Sequence, residues 1–293
     1  MHLATIYGDG QFGLSFELFP PRTTAGDEAL FQQVSQLMAY QPDFITCTYG
    51  AGGSTRDRTL DIVERVKRTF RLPVASHLTC VGATVEQLCG YLAEARRRGV
   101  DYVVALRGDP PGGKGTFQPV AGGLNHANEL VALIRSEFPD FGIAVAGYPE
   151  THQEAASPEI DLECLKRKVD AGADIVITQL FFRNDDYFRF RDRCHRSGIR
   201  VPVIPGILPV TNLSQIQRIT SLCGASLPDQ LVTELGRSDQ KEWQFWAGVD
   251  FAAQQCQGLI DGGVSGIHFY VLNRSQATAT VLRSAGWRSA AAT

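Results

Sequence analysis

Polar side chains close a series of apolar runs in this chain, and their types suit acid–base chemistry. Glu17 stands inside Phe16-Glu17-Leu18-Phe19-Pro20-Pro21, a setting where a carboxyl group is either a paired structural charge or an acid tuned by burial. Burial there is expected to disfavour ionisation. Thr48 and Tyr49 close a second run and His77 and Thr79 a third, while Arg107, Gly108 and Asp109 follow a fourth. Tyr148, Glu150 and His152 follow a fifth, Gln179 closes a sixth, and Tyr270 with Arg274 closes or follows the last. His77 also reads as a satisfied core histidine. The histidines and cysteines show no ligand spacing, so no metal is expected.

These residues can cooperate only if the runs bearing them lie side by side. Eight runs recur, near Leu14–Leu18, Phe44–Thr48, Val74–Thr79, Tyr102–Leu106, Ile143–Ala146, Ile175–Gln179, Val203–Ile207 and Gly266–Val271, each bounded by Gly, Pro or polar residues. Amphipathic stretches separate them, among them Asp27–Ala39, Asp57–Thr69 and Glu159–Ala171. Thr84 with Gln87 three residues later forms a capping-box pattern. Strand–helix alternation requires crossover connections and a parallel sheet. Eight strands match a (β/α)8 TIM barrel of the α/β class, with an open doubly wound sheet as the rival. In a barrel, polar residues at strand ends converge on one mouth. The stretch after strand seven exceeds one helix, so extra helices are expected at Asn212–Leu222, from Pro228, and at Asp239–Ile260. No linker or repeat divides the chain, and residues 1–293 read as a single domain.

Composition excludes several classes. With 44% hydrophobic and 20% charged residues the chain can bury a full core without staples. A net charge of -3 without runs of like charge offers nothing to phosphate backbones, so nucleic acid is not an expected partner. The seven cysteines lack a C-x-x-C pair and read as reduced thiols in a cytoplasm. Neither a secretory signal nor a membrane span is evident. None of the five lysines closes a run, which disfavours Schiff-base chemistry. Lys166, Arg167 and Lys168 form either a solvated face or a clamp for a diphosphate. Gly8, Gly10 and Gly13 spell G-x-G-x-x-G but precede a strand, so the dinucleotide-binding context is missing.

The segments SFELFPPRT, TCTYGAGGSTRDRT, SHLTC, VALRGDPP, YPETH, LKRKVDAGADIVITQLFF, PGILPV and HFYVLNR, in this order between about residues 14 and 286, resemble the methylenetetrahydrofolate reductase family. The resemblance implies a catalytic barrel that binds FAD and uses NAD(P)H to reduce 5,10-methylenetetrahydrofolate to 5-methyltetrahydrofolate, supplying methyl groups for methionine synthesis. It implies Glu17 as the acid that protonates the departing folate nitrogen, and Asp109 as a catalytic residue near flavin and pterin. Flavin-contacting positions carry over to Tyr49, Ala51, His77, Arg107, Gly108, Asp109, Ala127, Tyr148, His152, Ala155, Asp161, Arg167 and Lys168. Substrate positions carry over to Thr48, Asp109, Gln179, Gln215, Tyr270 and Arg274. A homo-oligomer is expected. Cys164 and Ile219 depart from the family pattern, at a flavin contact and a ligand-packing aromatic respectively. The eukaryotic regulatory domain is not expected, nor control by adenosylmethionine. The alternatives are a flavin-free pterin-binding barrel such as a folate-dependent methyltransferase, and a barrel that binds without turnover.

Overall fold

The computed structural model describes residues 2–8, 10–21, 23–49, 56–110 and 117–287. Within them the apolar runs form parallel strands β1 (Gly13–Leu18), β2 (Phe44–Cys47), β3 (Val74–Thr79), β4 (Tyr102–Leu106), β5 (Gly142–Gly147), β6 (Ile175–Thr178), β7 (Val203–Ile204), β8 (Gly206–Ile207) and β9 (Gly266–Tyr270). The sheet runs β7-β6-β5-β4-β3-β2-β1-β9-β8. Only Pro205 separates β7 from β8, so both ends of the sheet meet in one segment and the barrel closes.

The run expected as one strand at Val203–Ile207 is thus two: β7 pairs with β6, and β8 pairs with β9. Pro205 has no N–H for the ladder. Its carbonyl accepts from His268 N at 3.0 Å, while Gly206 N turns to the Thr178 hydroxyl at 2.9 Å. A Cβ on Gly206 would stand 2.4 Å from Thr178 O and 2.6 Å from Tyr270 Cε2, so only glycine fits.

Helices α1 (Thr24–Met38), α2 (Arg56–Phe70), α3 (Val85–Arg97), α4 (Ala127–Glu137), α5 (Pro158–Asp170) and α6 (Asn184–Arg196) alternate with the strands. Between β8 and β9 lie α7 (Leu213–Cys223), α8 (Asp229–Gly236) and α9 (Lys241–Asp261), as the long stretch predicts, and α10 (Ser275–Ser284) closes the ring. Thr84 and Gln87 form the expected capping box at the start of α3. Among the described residues no helix is long and apolar enough to cross a membrane.

Strand alternation divides the buried residues into two cores. Leu14, Phe16, Ile45, Val74, Val103, Ile143 and Val176 face the helices. Phe44, Ala75, Tyr102, Ala144, Ile175 and Ile204 fill the lower barrel, where the N-terminal 3-10 turn Leu3–Tyr7 plugs the base with Leu3, Ile6 and Tyr7. Gly13 opens β1 beside this plug, because a Cβ there would lie 2.3 Å from the Tyr7 ring. At the base, aspartates preceding alternate strands hold their neighbours in register. Asp43 accepts from Leu14 N at 2.8 Å, Asp101 from Val74 N at 2.9 Å, and Asp174 from Ile143 N at 2.6 Å. The apolar base leaves the polar inward positions at the opposite, C-terminal mouth.

Candidate active site

Period-two alternation points Ser15 and Glu17 of β1 into the barrel, and the parallel register sets them beside His268 and Tyr270 of β9. Glu17 is 6% exposed. One of its oxygens lies 3.2 Å from His77 Nε2 and 3.7 Å from His268 Nε2. On the far side of that ring, His268 Nδ1 meets Ser15 Oγ at 2.8 Å, and Ser15 Oγ meets Tyr7 Oη at 3.1 Å. A buried polar chain therefore descends from the mouth to the basal plug.

The expectation that burial keeps Glu17 neutral is corrected by its neighbours. Burial pushes the carboxyl up, but the charge of His77 and the close approach of His268 outweigh it and hold the group at about 2.

A second group lies after β4 and β5. Arg107 donates to both carboxylate oxygens of Glu154, at 2.6 and 2.8 Å, and its guanidinium stands 5.1 Å from the Phe117 ring centroid. Gly108 takes φ +84°, and a Cβ there would meet Val81 at 2.8 Å and Thr79 at 2.9 Å. Asp109 is exposed at the mouth. The loop after β5 turns sharply at Thr151, whose φ of 81° is unusual for a β-branched residue and marks a constrained segment. Tyr148 and His152 pack edge to face at 4.6 Å on either side of it. His152 Nδ1 accepts from Glu154 N at 3.1 Å, which leaves the ring proton on Nε2. Burial lowers the pKa of this histidine. His152 N donates to Asp161 in the first turn of α5 at 3.1 Å, and Ala155 N donates to His152 O at 2.9 Å.

Lys168 sits in the last turn of α5, yet its side chain runs back along the helix to donate to Ala146 O at 2.6 Å. Burial lowers its pKa to about 8, against the pull of Asp161. Arg167 and Cys164 lie on the exposed face of the same helix, where Arg167 approaches Glu163 at 3.9 Å. The structure thus separates the Lys166–Lys168 run into one inward amine and outward neighbours.

At the seam, Tyr270 reaches past Gly206 to donate to Thr178 O at 2.6 Å, next to Gln179, whose Oε1 accepts from Leu180 N at 2.7 Å. Gln215, in the first turn of α7, and Arg274 line one cavity with Thr211 and Leu272. Ile219 is half-buried on α7. Thr48 and buried Tyr49 follow β2, with Thr48 O accepting from the Thr59 hydroxyl at 2.8 Å. Ala51 lies outside the described residues.

The residues present fit a flavin. Arg107, His152 and Lys168 supply donors for a diphosphate. The α4 helix begins at Ala127 without a side-chain cap, which leaves its amide dipole for an anion. Thr46 Oγ1 and Thr79 Oγ1 are buried without a hydrogen-bond partner among the described residues, polar atoms that a ligand at the mouth would satisfy. Sequence reasoning missed His268, Ser15 and Glu154. The first two carry a readable signal, since each stands two residues from a predicted site residue on the same strand face. Glu154 carries none, because its role depends on loop closure.

A family model described as methylenetetrahydrofolate reductase matches residues 2–286. Methylenetetrahydrofolate reductase (NADH) 1 of Arabidopsis thaliana is 39% identical over 295 residues, covering 97% of this chain and 50% of the relative. The chain therefore spans about half the length of the plant relatives it matches. The 5,10-methylenetetrahydrofolate reductase of Escherichia coli (strain K12) is 40% identical over 280 residues, covering 95% of this chain and 92% of the relative. Among solved structures, an uncharacterized Clostridium thermocellum protein that binds two copies of 5-methyl-5,6,7,8-tetrahydrofolic acid superposes with TM-score 0.61 at 12% identity, covering 93% of this chain and 94% of that one. A Coxiella burnetii dihydropteroate synthase in complex with pteroic acid gives TM-score 0.52 at 12% identity, covering 95% and 93%. At such identity these two establish the barrel fold alone. With the match to the family model running almost the whole length of the barrel and its mouth, the chain belongs to the methylenetetrahydrofolate reductase family.

Proposed function

We propose that this chain is an FAD-dependent oxidoreductase that uses NAD(P)H to reduce 5,10-methylenetetrahydrofolate to 5-methyltetrahydrofolate, working as one catalytic barrel domain over residues 1–293. The observation that carries the reading is a buried carboxyl, Glu17, facing His77 and His268 inside the polar mouth of a barrel of this family. Bound flavin supplies hydride transfer between the nicotinamide and the folate. The chain's own task is to bind, orient and protonate.

Opening the five-membered ring of the folate requires a proton on the departing nitrogen. Glu17 is the carboxyl placed to deliver it: held as a carboxylate beside His77 and His268, it takes up a proton as the folate binds and passes it to the departing nitrogen. Asp109 places negative charge at the mouth, which disfavours an anionic reduced flavin and orients the pterin edge. Thr48, Gln179 and Tyr270 line the substrate side, and Gln215 with Arg274 receives the distal end, where a guanidinium suits carboxylates. Tyr49, His77, Arg107, Gly108, Ala127, Tyr148, His152, Ala155, Asp161 and Lys168 hold the flavin, with Ala51 and Arg167 assigned by resemblance. Seven free thiols are consistent with a cytoplasmic location. Exposed Leu222, Trp243 and Trp246 on α7 and α9 support a homo-oligomer.

Purified protein should be yellow. Anaerobic NADH or NADPH should bleach it, and methylenetetrahydrofolate should restore the colour. Colourless protein that still binds folate would instead indicate the flavin-free pterin-binding barrel.

A further inference from the structure

The loop after β9 carries an unexplained constraint. Leu272 and Asn273 are consecutive residues with left-handed backbones, at φ 49° and 54°. Asparagine tolerates this region, but leucine does so at a cost, so the surrounding contacts must over-determine the turn. They do so on both sides. Asn273 Oδ1 accepts from Phe19 N at 2.9 Å and its Nδ2 donates to Phe19 O at 2.6 Å. The side-chain amide thus engages both hydrogen-bonding groups of one backbone residue, as a paired strand would. It prolongs the β1–β9 ladder beyond the bond from Val271 N to Glu17 O at 3.3 Å. On the other side, Ser275 N donates to Gln33 Oε1 at 2.8 Å, and the Ser275 hydroxyl lies 2.6 Å from Oε1 of both Gln33 and Gln36.

Arg274 sits between these two clamps. Its side chain is exposed and borders two cavities, one shared with Gln215 and a larger one of about 500 Å³ lined by Gln33, Gln36, Thr211 and Phe245. Phe19 is two residues beyond Glu17. A single side chain therefore ties the end of the strand bearing the acid to the turn bearing the arginine.

We propose that Asn273 is a positioning residue that fixes Arg274 relative to Glu17, so that a folate gripped at its distal carboxylates presents its reacting nitrogen to the acid. This rests on the proposed reading of Arg274 as a substrate contact. A side chain that merely stapled a loop would affect stability and both half-reactions together. A positioning residue acts on the folate side alone.

The test compares Asn273→Ala, Asn273→Asp, Arg274→Ala and the Asn273→Ala/Arg274→Ala double variant, each as the flavin-loaded protein. Asn273→Gly, which accepts the left-handed backbone, serves if the alanine variant does not fold. Readouts are the dissociation constant for methyltetrahydrofolate, the folate KM and kcat, and the rate of flavin reduction by NADH. Asn273→Ala should weaken folate binding about tenfold, the loss of roughly one to two hydrogen bonds' net worth. Flavin reduction should stay within about twofold, on the scale where an equivalent free-energy change is below the worth of one hydrogen bond. Asn273→Asp, which keeps the acceptor but sets a carboxylate oxygen against Phe19 O, should weaken folate binding at least as much as Asn273→Ala. The double variant should bind folate no more weakly than Arg274→Ala, because the two act as one unit. Additive effects in the double variant, or equal loss in both half-reactions, would overturn the positioning role while leaving Arg274 as a substrate contact. Unchanged folate binding in Arg274→Ala would overturn the substrate reading of Arg274 and this proposal with it.

Discussion

Replacing His77 by asparagine should convert Glu17 from a carboxylate into a neutral acid. In the native cluster burial raises the carboxyl, yet the charge of His77 and the approach of His268 bring it from 4.5 down to about 2. That gap corresponds to about 3 kcal/mol in favour of the ionised form. The substitution would remove the strongest opposing influence while Glu17 stays buried, so the carboxyl should then titrate above its ordinary value. The effect on stability has a definite sign. A depressed carboxyl contributes stability that is full above pH 4.5 and is lost as pH falls toward about 2, so the native protein should lose about 3 kcal/mol from this group on acidification. In His77→Asn that contribution disappears, and the buried carboxyl favours unfolding at neutral pH. Infrared difference spectroscopy across a pH series, with Glu17→Gln as the blank, detects the carbonyl stretch of the protonated acid. The band should be absent from the native protein at pH 6 and present in the variant. A band already present in the native protein, or an unaltered titration in the variant, would refute the electrostatic account of the cluster.

Two further outcomes follow from the structure. Gly206→Ala places a Cβ 2.4 Å from Thr178 O and 2.6 Å from the Tyr270 ring. Overpacking of that kind costs about 1–3 kcal/mol and should lower Tm by roughly 5 °C in a calorimetric scan, whereas an unchanged Tm would mean that the seam at Pro205 is looser than described. Lys168→Met should weaken FAD binding about 10- to 100-fold by fluorescence titration, the worth of a hydrogen bond to a charged group. In the native protein the affinity should fall as pH rises through about 8, because the ligand-free amine loses its proton there. An affinity independent of pH would remove Lys168 from the flavin site.

The barrel is legible in the chain because its strands are short apolar runs with clear punctuation, and the long stretch after strand seven announces the extra helices α7 and α8. The broken strand is not legible as a run. Its signal is Pro205 itself, whose missing N–H outweighs the β-branched neighbours around it. Glu17 and His77 are visible as polar residues closing apolar runs, but the sign of the Glu17 shift is not. It depends on how closely His77 of β3 and His268 of β9 approach the carboxyl, a convergence that sequence separation hides. Likewise, Lys166, Arg167 and Lys168 are adjacent in sequence, while helical geometry sends only Lys168 back toward β5. Contacts made by loops, such as Glu154 on Arg107 and Asn273 on Phe19, require the closed fold before they exist.

The central claim is that Glu17 supplies the proton for folate reduction and for no other step. Stopped-flow spectroscopy of Glu17→Gln separates the half-reactions. Anaerobic NADH should bleach the flavin of the variant at a rate within a few-fold of the native protein. Reoxidation by methylenetetrahydrofolate should slow by about 10²–10⁴-fold, the usual worth of a general acid. Equal slowing of both half-reactions, or folate reduction at the native rate, would contradict the assignment of this proton to Glu17.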